Sequence, residues 1–140
     1  MPATTVAYCD EELSLTRLYV LRATYALIGL AQGALVAPLL FVHEPTARGV
    51  IPAMLAGMCL LDLVGIKYPR RMLPLLLFEF AWKALWFAFF GLPQYLSGHL
   101  PPTFAEDFPA ITFGVILMPL VIPWGYAWRQ YVRAPMDRWR

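Results

Sequence analysis

The stretch Met72–Leu96, MLPLLLFEFAWKALWFAFFGLPQYL, decides the reading of this chain. It carries two charges, Glu79 and Lys83, in a run otherwise dominated by Leu, Phe, Trp and Ala. A helix that crosses the hydrocarbon core of a bilayer needs about 20 mostly apolar residues. This run is long enough, and it lacks the polar face that a soluble helix of that length would show.

Three further stretches share its character, at about 16–42, 50–68 and 108–132. With 72–96 they take up most of the 140 residues. The chain is 60% hydrophobic and 14% charged, against roughly a quarter charged in an ordinary soluble domain. A soluble domain of this size has too much surface to hide so many apolar groups, and a disordered chain is poor in them. The connections are short, so successive spans lie antiparallel and adjacent. The expectation is an all-α transmembrane four-helix up-and-down bundle, a single domain over 1–140.

Proline punctuates the pattern. Pro38 and Pro45 flank the exit of the first span, and Pro69 separates the second from the third. Pro52 and Pro74 are expected in first turns, where a missing N–H is harmless. Pro101 and Pro102 break the connection from Ser97 to Asp107. Pro119 and Pro123 fall within the fourth stretch, where each removes a backbone donor and predicts a kink or wide turn. Gly29 and Gly33 form a GxxxG, and Ala53 and Gly57 repeat the small-xxx-small spacing. Such grooves let helices approach closely in lipid, within one chain or between copies.

Basic residues near span ends set orientation. The second connection holds Lys67, Arg70 and Arg71, and the tail holds Arg129, Arg133, Arg138 and Arg140. The first connection holds only Arg48, and Ser97–Asp107 holds no Lys or Arg and carries Glu106 and Asp107 instead. Both termini are therefore expected in the cytoplasm. The first sixteen residues hold no Lys or Arg and include Asp10-Glu11-Glu12, so the first span reads as retained rather than a cleaved signal. Trp128, Arg129, Tyr131 and Arg133 interleave rings and guanidinium groups as an interfacial anchor does.

Four ionisable residues lie within the spans: Arg22, Asp62, Glu79 and Lys83. Charged groups at that depth face a protein interior or a cavity. Counted along the helices, Arg22, Asp62 and Glu79 fall about 7–11 Å inside the cytoplasmic boundary, with Lys83 a turn deeper. Glu79 and Lys83 are spaced to pair on one face. Two acids and two bases balance, as a buried network requires. Tyr126 is expected at a similar depth as a hydrogen-bond donor, with Tyr25 and Thr24 as candidates on the first span. Trp82 and Trp86 flank the Glu79–Lys83 stripe. Two readings of the layer stand side by side. In one it fixes helix register and rotation. In the other it lines a cavity that binds a polar ligand or passes protons.

Other chemistry finds little support. Net charge is +2 and the bases form no single stripe, which argues against a nucleic-acid partner. Cys9 and Cys59 fall at different depths, so no disulfide is expected. His43 and His99 fall in connections, so no haem ligation across the bundle and no resident cofactor is expected; a metal site from His99, Glu106 and Asp107 reads as a solvated acidic turn. HExxH, GxSxG and phosphate-binding glycine loops do not occur.

Two stretches carry a resemblance. Arg70-Arg71-Met72-Leu73-Pro74 through Phe78-Glu79-Phe80-Ala81-Trp82-Lys83 is one, and Val121-Ile122-Pro123-Trp124-Gly125-Tyr126 through Asp137-Arg138-Trp139-Arg140 is the other. They resemble a group of small bacterial four-span membrane proteins of unknown function, and the layout is similar to that of DoxX-type four-helix membrane proteins. The resemblance implies a bacterial inner-membrane protein of this architecture and carries over no catalytic residue. The expected role is a non-enzymatic accessory or scaffold component of a membrane assembly. Its partners would be the bilayer and either a membrane protein or further copies of the chain, joined through Gly29, Gly33, Ala53 and Gly57. The alternative is a small oligomeric transporter or proton-conducting protein.

Overall fold

A computed structural model describes residues 13–42, 47–98 and 100–134. Cys9, the acidic run Asp10-Glu11-Glu12, His43, Pro45, His99, Arg138 and Arg140 lie outside the described residues. The chain is all-helical over the described residues: α1 Leu15–Val36, α2 Ala47–Lys67, α3 Leu73–Trp86, α4 Leu92–Ser97, α5 Phe104–Val121 and α6 Trp124–Tyr131. Four segments are long and apolar enough to cross a membrane: Leu15–Phe41, Gly49–Lys67, Leu73–Ser97 and Phe104–Val121.

α1 starts at Ser14, whose hydroxyl accepts from the Arg17 N–H at 3.4 Å. Its inward face is Leu21, Thr24, Tyr25, Gly29 and Val36, close to the three- and four-residue spacing of one helical stripe. Past Val36 the chain tightens into a 3₁₀ turn, Ala37–Phe41, with Pro38 in its first turn. α2 begins at Ala47, so Pro52 stands inside the helix and not in its first turn as expected. α3 does begin with Pro74 in its first turn.

The third span is not uniform. Between α3 and α4 lies a π turn, Phe87–Gly91, in which the Leu92 N–H donates to the Phe87 carbonyl. Pro93 follows directly. It has no N–H to give to the Phe89 carbonyl, and its ring crowds that oxygen, so one turn widens instead of continuing at normal pitch. Gly91 allows the wide turn to pack, since a Cβ there would stand 2.7 Å from the Trp86 ring.

The fourth stretch differs most from expectation. α5 begins at Phe104, not near residue 108, with Glu106 and Asp107 in its first turn. Acidic side chains are favoured there by the helix dipole. Phe104 and Phe108 stack at 4.7 Å between centroids, with Trp86 and Tyr95 on the adjoining rings. Pro119 is accommodated within α5, where the Trp124 indole N–H donates to its carbonyl at 2.9 Å. Pro123 ends the span: Ile122 is extended at ψ 123° and α6 begins afresh at Trp124. The expected kink is thus a break, and residues 124–131 form a separate short amphipathic helix.

α1 packs mainly on α2, and α3 on α5, while α1–α5 and α2–α3 contacts close the ring. The shared core holds Leu21, Tyr25, Met58, Leu73, Leu76, Met118 and Ile122. Around it the outward faces are apolar, with Leu30, Leu60, Phe89 and Leu120 exposed. Tyr25 is the tightest joint. Its hydroxyl donates to the Pro69 carbonyl at 3.3 Å, and its ring lies where a Cβ on Gly65 would come within 2.5 Å. Gly57, by contrast, has nothing within 4 Å of that position.

Gly65→Ala is expected to lower stability by roughly 1–3 kcal/mol through overpacking against a ring that cannot swing away. Gly57→Ala should stay within about 0.5 kcal/mol of the parent. Thermal unfolding of the two purified variants in one detergent measures the difference.

Candidate functional site

Asp62, Glu79 and Lys83 come together inside the bundle. Asp62 and Glu79 are fully buried, and Lys83 is 8% exposed. Glu79 and Lys83 stand one turn apart on α3, and the Lys83 ammonium donates to Glu79 Oε2 in an ion pair. The Trp82 indole N–H donates to the same oxygen at 3.2 Å. The ammonium also stands 4.4 Å from the Trp82 ring centroid, within cation–π range. Lys83 is therefore held by a carboxylate and by the face of an indole, and α3 supplies both.

The neighbouring helices close on this cluster through glycines. On α5, a Cβ at Gly114 would stand 2.7 Å from Lys83 Cδ and 3.0 Å from Cε. On α1, a Cβ at Gly29 would stand 3.1 Å from the Asp62 Cβ, and Gly33 faces the Cys59 side chain. The GxxxG of the first span thus serves the α1–α2 contact within the chain. Ala53 and Gly57 are exposed on the outer face of α2.

Asp62 lies close enough to Glu79 and Lys83 for their charges to act on it. Both of its carboxyl oxygens are buried with no hydrogen bond among the described residues, as is Glu79 Oε1. The layer holds two carboxyl groups and one ammonium group, so the expected charge balance fails. The missing member is Arg22. Its side chain is exposed, lies over the Tyr19 ring at 5.7 Å, and lines a cleft with Arg70 and Arg71. Arg22 has the expected position along the helix but the wrong rotation, one residue past Leu21 on a stripe that turns Leu21 and Tyr25 inward.

Tyr126 is half-buried against the core and makes no hydrogen bond to the layer among the described residues, because the break at Pro123 puts it on a new helix. Thr24 donates to the Val20 carbonyl at 2.9 Å, and Tyr25 to Pro69. Trp86 stacks on Phe104. Gly114 gave no signal in sequence, since a lone glycine within an apolar run has no partner to reveal it. Gln32 and Thr112 also bury a side-chain polar atom with no hydrogen-bond partner among the described residues. No group of three His, Cys, Asp or Glu is placed to hold a metal ion among the described residues.

These features describe the core of a four-span membrane bundle with a paired buried charge. Comparisons with protein-family models, characterised proteins and solved structures find no match to this chain.

Lys83→Met is expected to destabilise by about 3–5 kcal/mol, because it leaves Glu79 buried and uncompensated. Adding Glu79→Gln in the same chain should recover most of that loss. Thermal unfolding in detergent across the two single variants and the double variant reads the coupling.

Proposed function

We propose that this chain is a multi-pass protein of a bacterial cytoplasmic membrane, with both termini in the cytoplasm, and that it is a non-enzymatic accessory or scaffold component of a membrane assembly. The observation that supports this reading is the use made of the buried charges. Glu79 is taken up by Lys83 and Trp82, and Lys83 is covered by Gly114 of α5. The charged pair is closed within α3, the neighbouring helices pack on it through Gly114 and Gly29, and none of Asp62, Glu79 or Lys83 lines the cleft at the basic end of the bundle. A network of that kind sets register and rotation where lipid gives helices no hydrophobic reason to associate. The outward Ala53–Gly57 pair on α2 offers a close-packing strip to a partner helix or a second copy.

One observation favours the second reading, a proton-conducting protein. Asp62 is fully buried with neither oxygen hydrogen-bonded among the described residues, and a buried carboxyl group is stable when it holds a proton or meets a cation. A chain that moves protons would use Asp62 as the exchanging group.

Two measurements separate these readings. Gentle detergent extraction followed by mass measurement of the intact particle should give a defined complex larger than one chain. Purified protein in liposomes carrying an internal pH dye should show no proton flux that Asp62→Asn removes. A lone monomer together with Asp62-dependent flux would replace the scaffold with the conductor.

A further inference from the structure

The basic end of the bundle carries a second polar feature, separate from the buried layer. Leu18 and Arg22 of α1 face Tyr68, Pro69, Arg70 and Arg71 of the α2–α3 turn across a cleft of about 220 Å³. That is smaller than the roughly 300–1,000 Å³ of pockets for drug-sized ligands, and three of its six lining residues are arginines. Among the described residues none of the three has a carboxylate partner. The clustered charges raise the positive potential at this end of the bundle.

The walls are built, not incidental. The Tyr25 hydroxyl holds the Pro69 carbonyl. The turn is closed by the Met72 N–H donating to the Tyr68 carbonyl at 3.1 Å and the Leu73 N–H donating to the Arg70 carbonyl at 3.4 Å. Arg71 and Lys67 both lie over the Tyr68 ring, at 6.0 and 5.3 Å. Arg22 starts about 10 Å along α1 from Leu15, but a helical side chain leans toward its own N-terminus. Arg22 thereby shares the cleft with the turn, and a long cationic side chain of this kind can reach the headgroup region.

We propose that this cleft binds the phosphate group of an anionic lipid, with Arg22, Arg70 and Arg71 as its ligands. Guanidinium groups grip phosphate oxygens in pairs. Basic pockets between membrane helices at the headgroup level are suited to anionic lipids. The walls match a phosphodiester with an acyl chain: Leu18 and Pro69 are apolar, and α1 beside them carries Leu15 and Tyr19 exposed on its surface. The site is independent of the scaffold reading, because it shares no residue with the buried layer.

The test uses the full chain in a mild detergent, titrated in turn with phosphatidylglycerol, phosphatidylcholine and inorganic phosphate. Thermal stability and intact-complex mass are the readouts. Phosphatidylglycerol should bind at least about tenfold more tightly than phosphatidylcholine, and each of Arg22→Gln, Arg70→Gln and Arg71→Gln should weaken it by about fivefold or more. Arg133→Gln, a residue outside the cleft's lining, should leave it unchanged. Stabilisation by inorganic phosphate equal to that by phosphatidylglycerol would overturn the lipid assignment and make the cleft a site for soluble phosphate. Equal binding of the two lipids, or full binding by the triple Gln variant, would overturn the site itself. Neutralising Asp10, Glu11 and Glu12 together should leave affinity within about twofold; a tenfold rise would mean that the chain's own acidic segment fills the cleft, and would overturn the proposal as well.

Discussion

The ion pair between Glu79 and Lys83 is what the four long helices are arranged around. A charge near the centre of a bilayer costs at least about 2.5–3.5 kcal/mol, and by some measures far more. A turn of helix spacing supplies the partner, and the intervening Trp82 supplies both a donor to the carboxylate and an aromatic face to the ammonium. α3 is thereby nearly self-sufficient in polar terms. The other helices need only exclude lipid, and they do so at places with no side chain: Gly114 against the Lys83 stem and Gly29 against Asp62. In lipid, where greasy surfaces gain nothing by meeting, such close backbone approach is the available source of cohesion.

Much of this was legible in the sequence, for definite reasons. Hydropathy over about 20 residues reports the solvent, so the spans were visible. Glu79 and Lys83 were readable as a pair because both sit on one helix at a fixed offset. What failed were inferences that treat a span as a uniform rod. Glu106 and Asp107 counted against a span when read as loop charge, yet at a helix start they are favourable, and α5 takes them in. Pro93 widens the third span through the Phe87–Gly91 turn, and Pro123 cuts the fourth, so Tyr126 left the layer that counting had assigned to it.

Arg22 failed for another reason. Rise per residue gives depth, but depth says nothing of direction around the axis. One residue is about 100° of rotation, and Leu21, Tyr25 and Gly29 had already claimed the inward face of α1. Their claim is visible in the sequence only once Gly29 is known to meet Asp62, which is a tertiary fact.

The rotation adopted by α1 is itself informative. Turning the helix by one residue would bring Arg22 inward and balance Asp62 electrically, as the charge arithmetic favours. It would also take Gly29 off Asp62, Gly33 off Cys59 and the Tyr25 ring off Gly65, and would release the Tyr25 hydroxyl from Pro69. The two residues in contest are not equivalent in lipid. An arginine carries its charge on a long stem and can deliver it to the headgroups from two turns inside, whereas an aspartate remains where its backbone puts it. Arg22 thus loses little by facing outward, and the bundle keeps its contacts. Asp62 is left as the one acid of the layer without a base, fully buried at the α1–α2 seam. The same choice that packs α1 on α2 therefore creates both the bare carboxyl group inside and the cluster of three arginines at the rim.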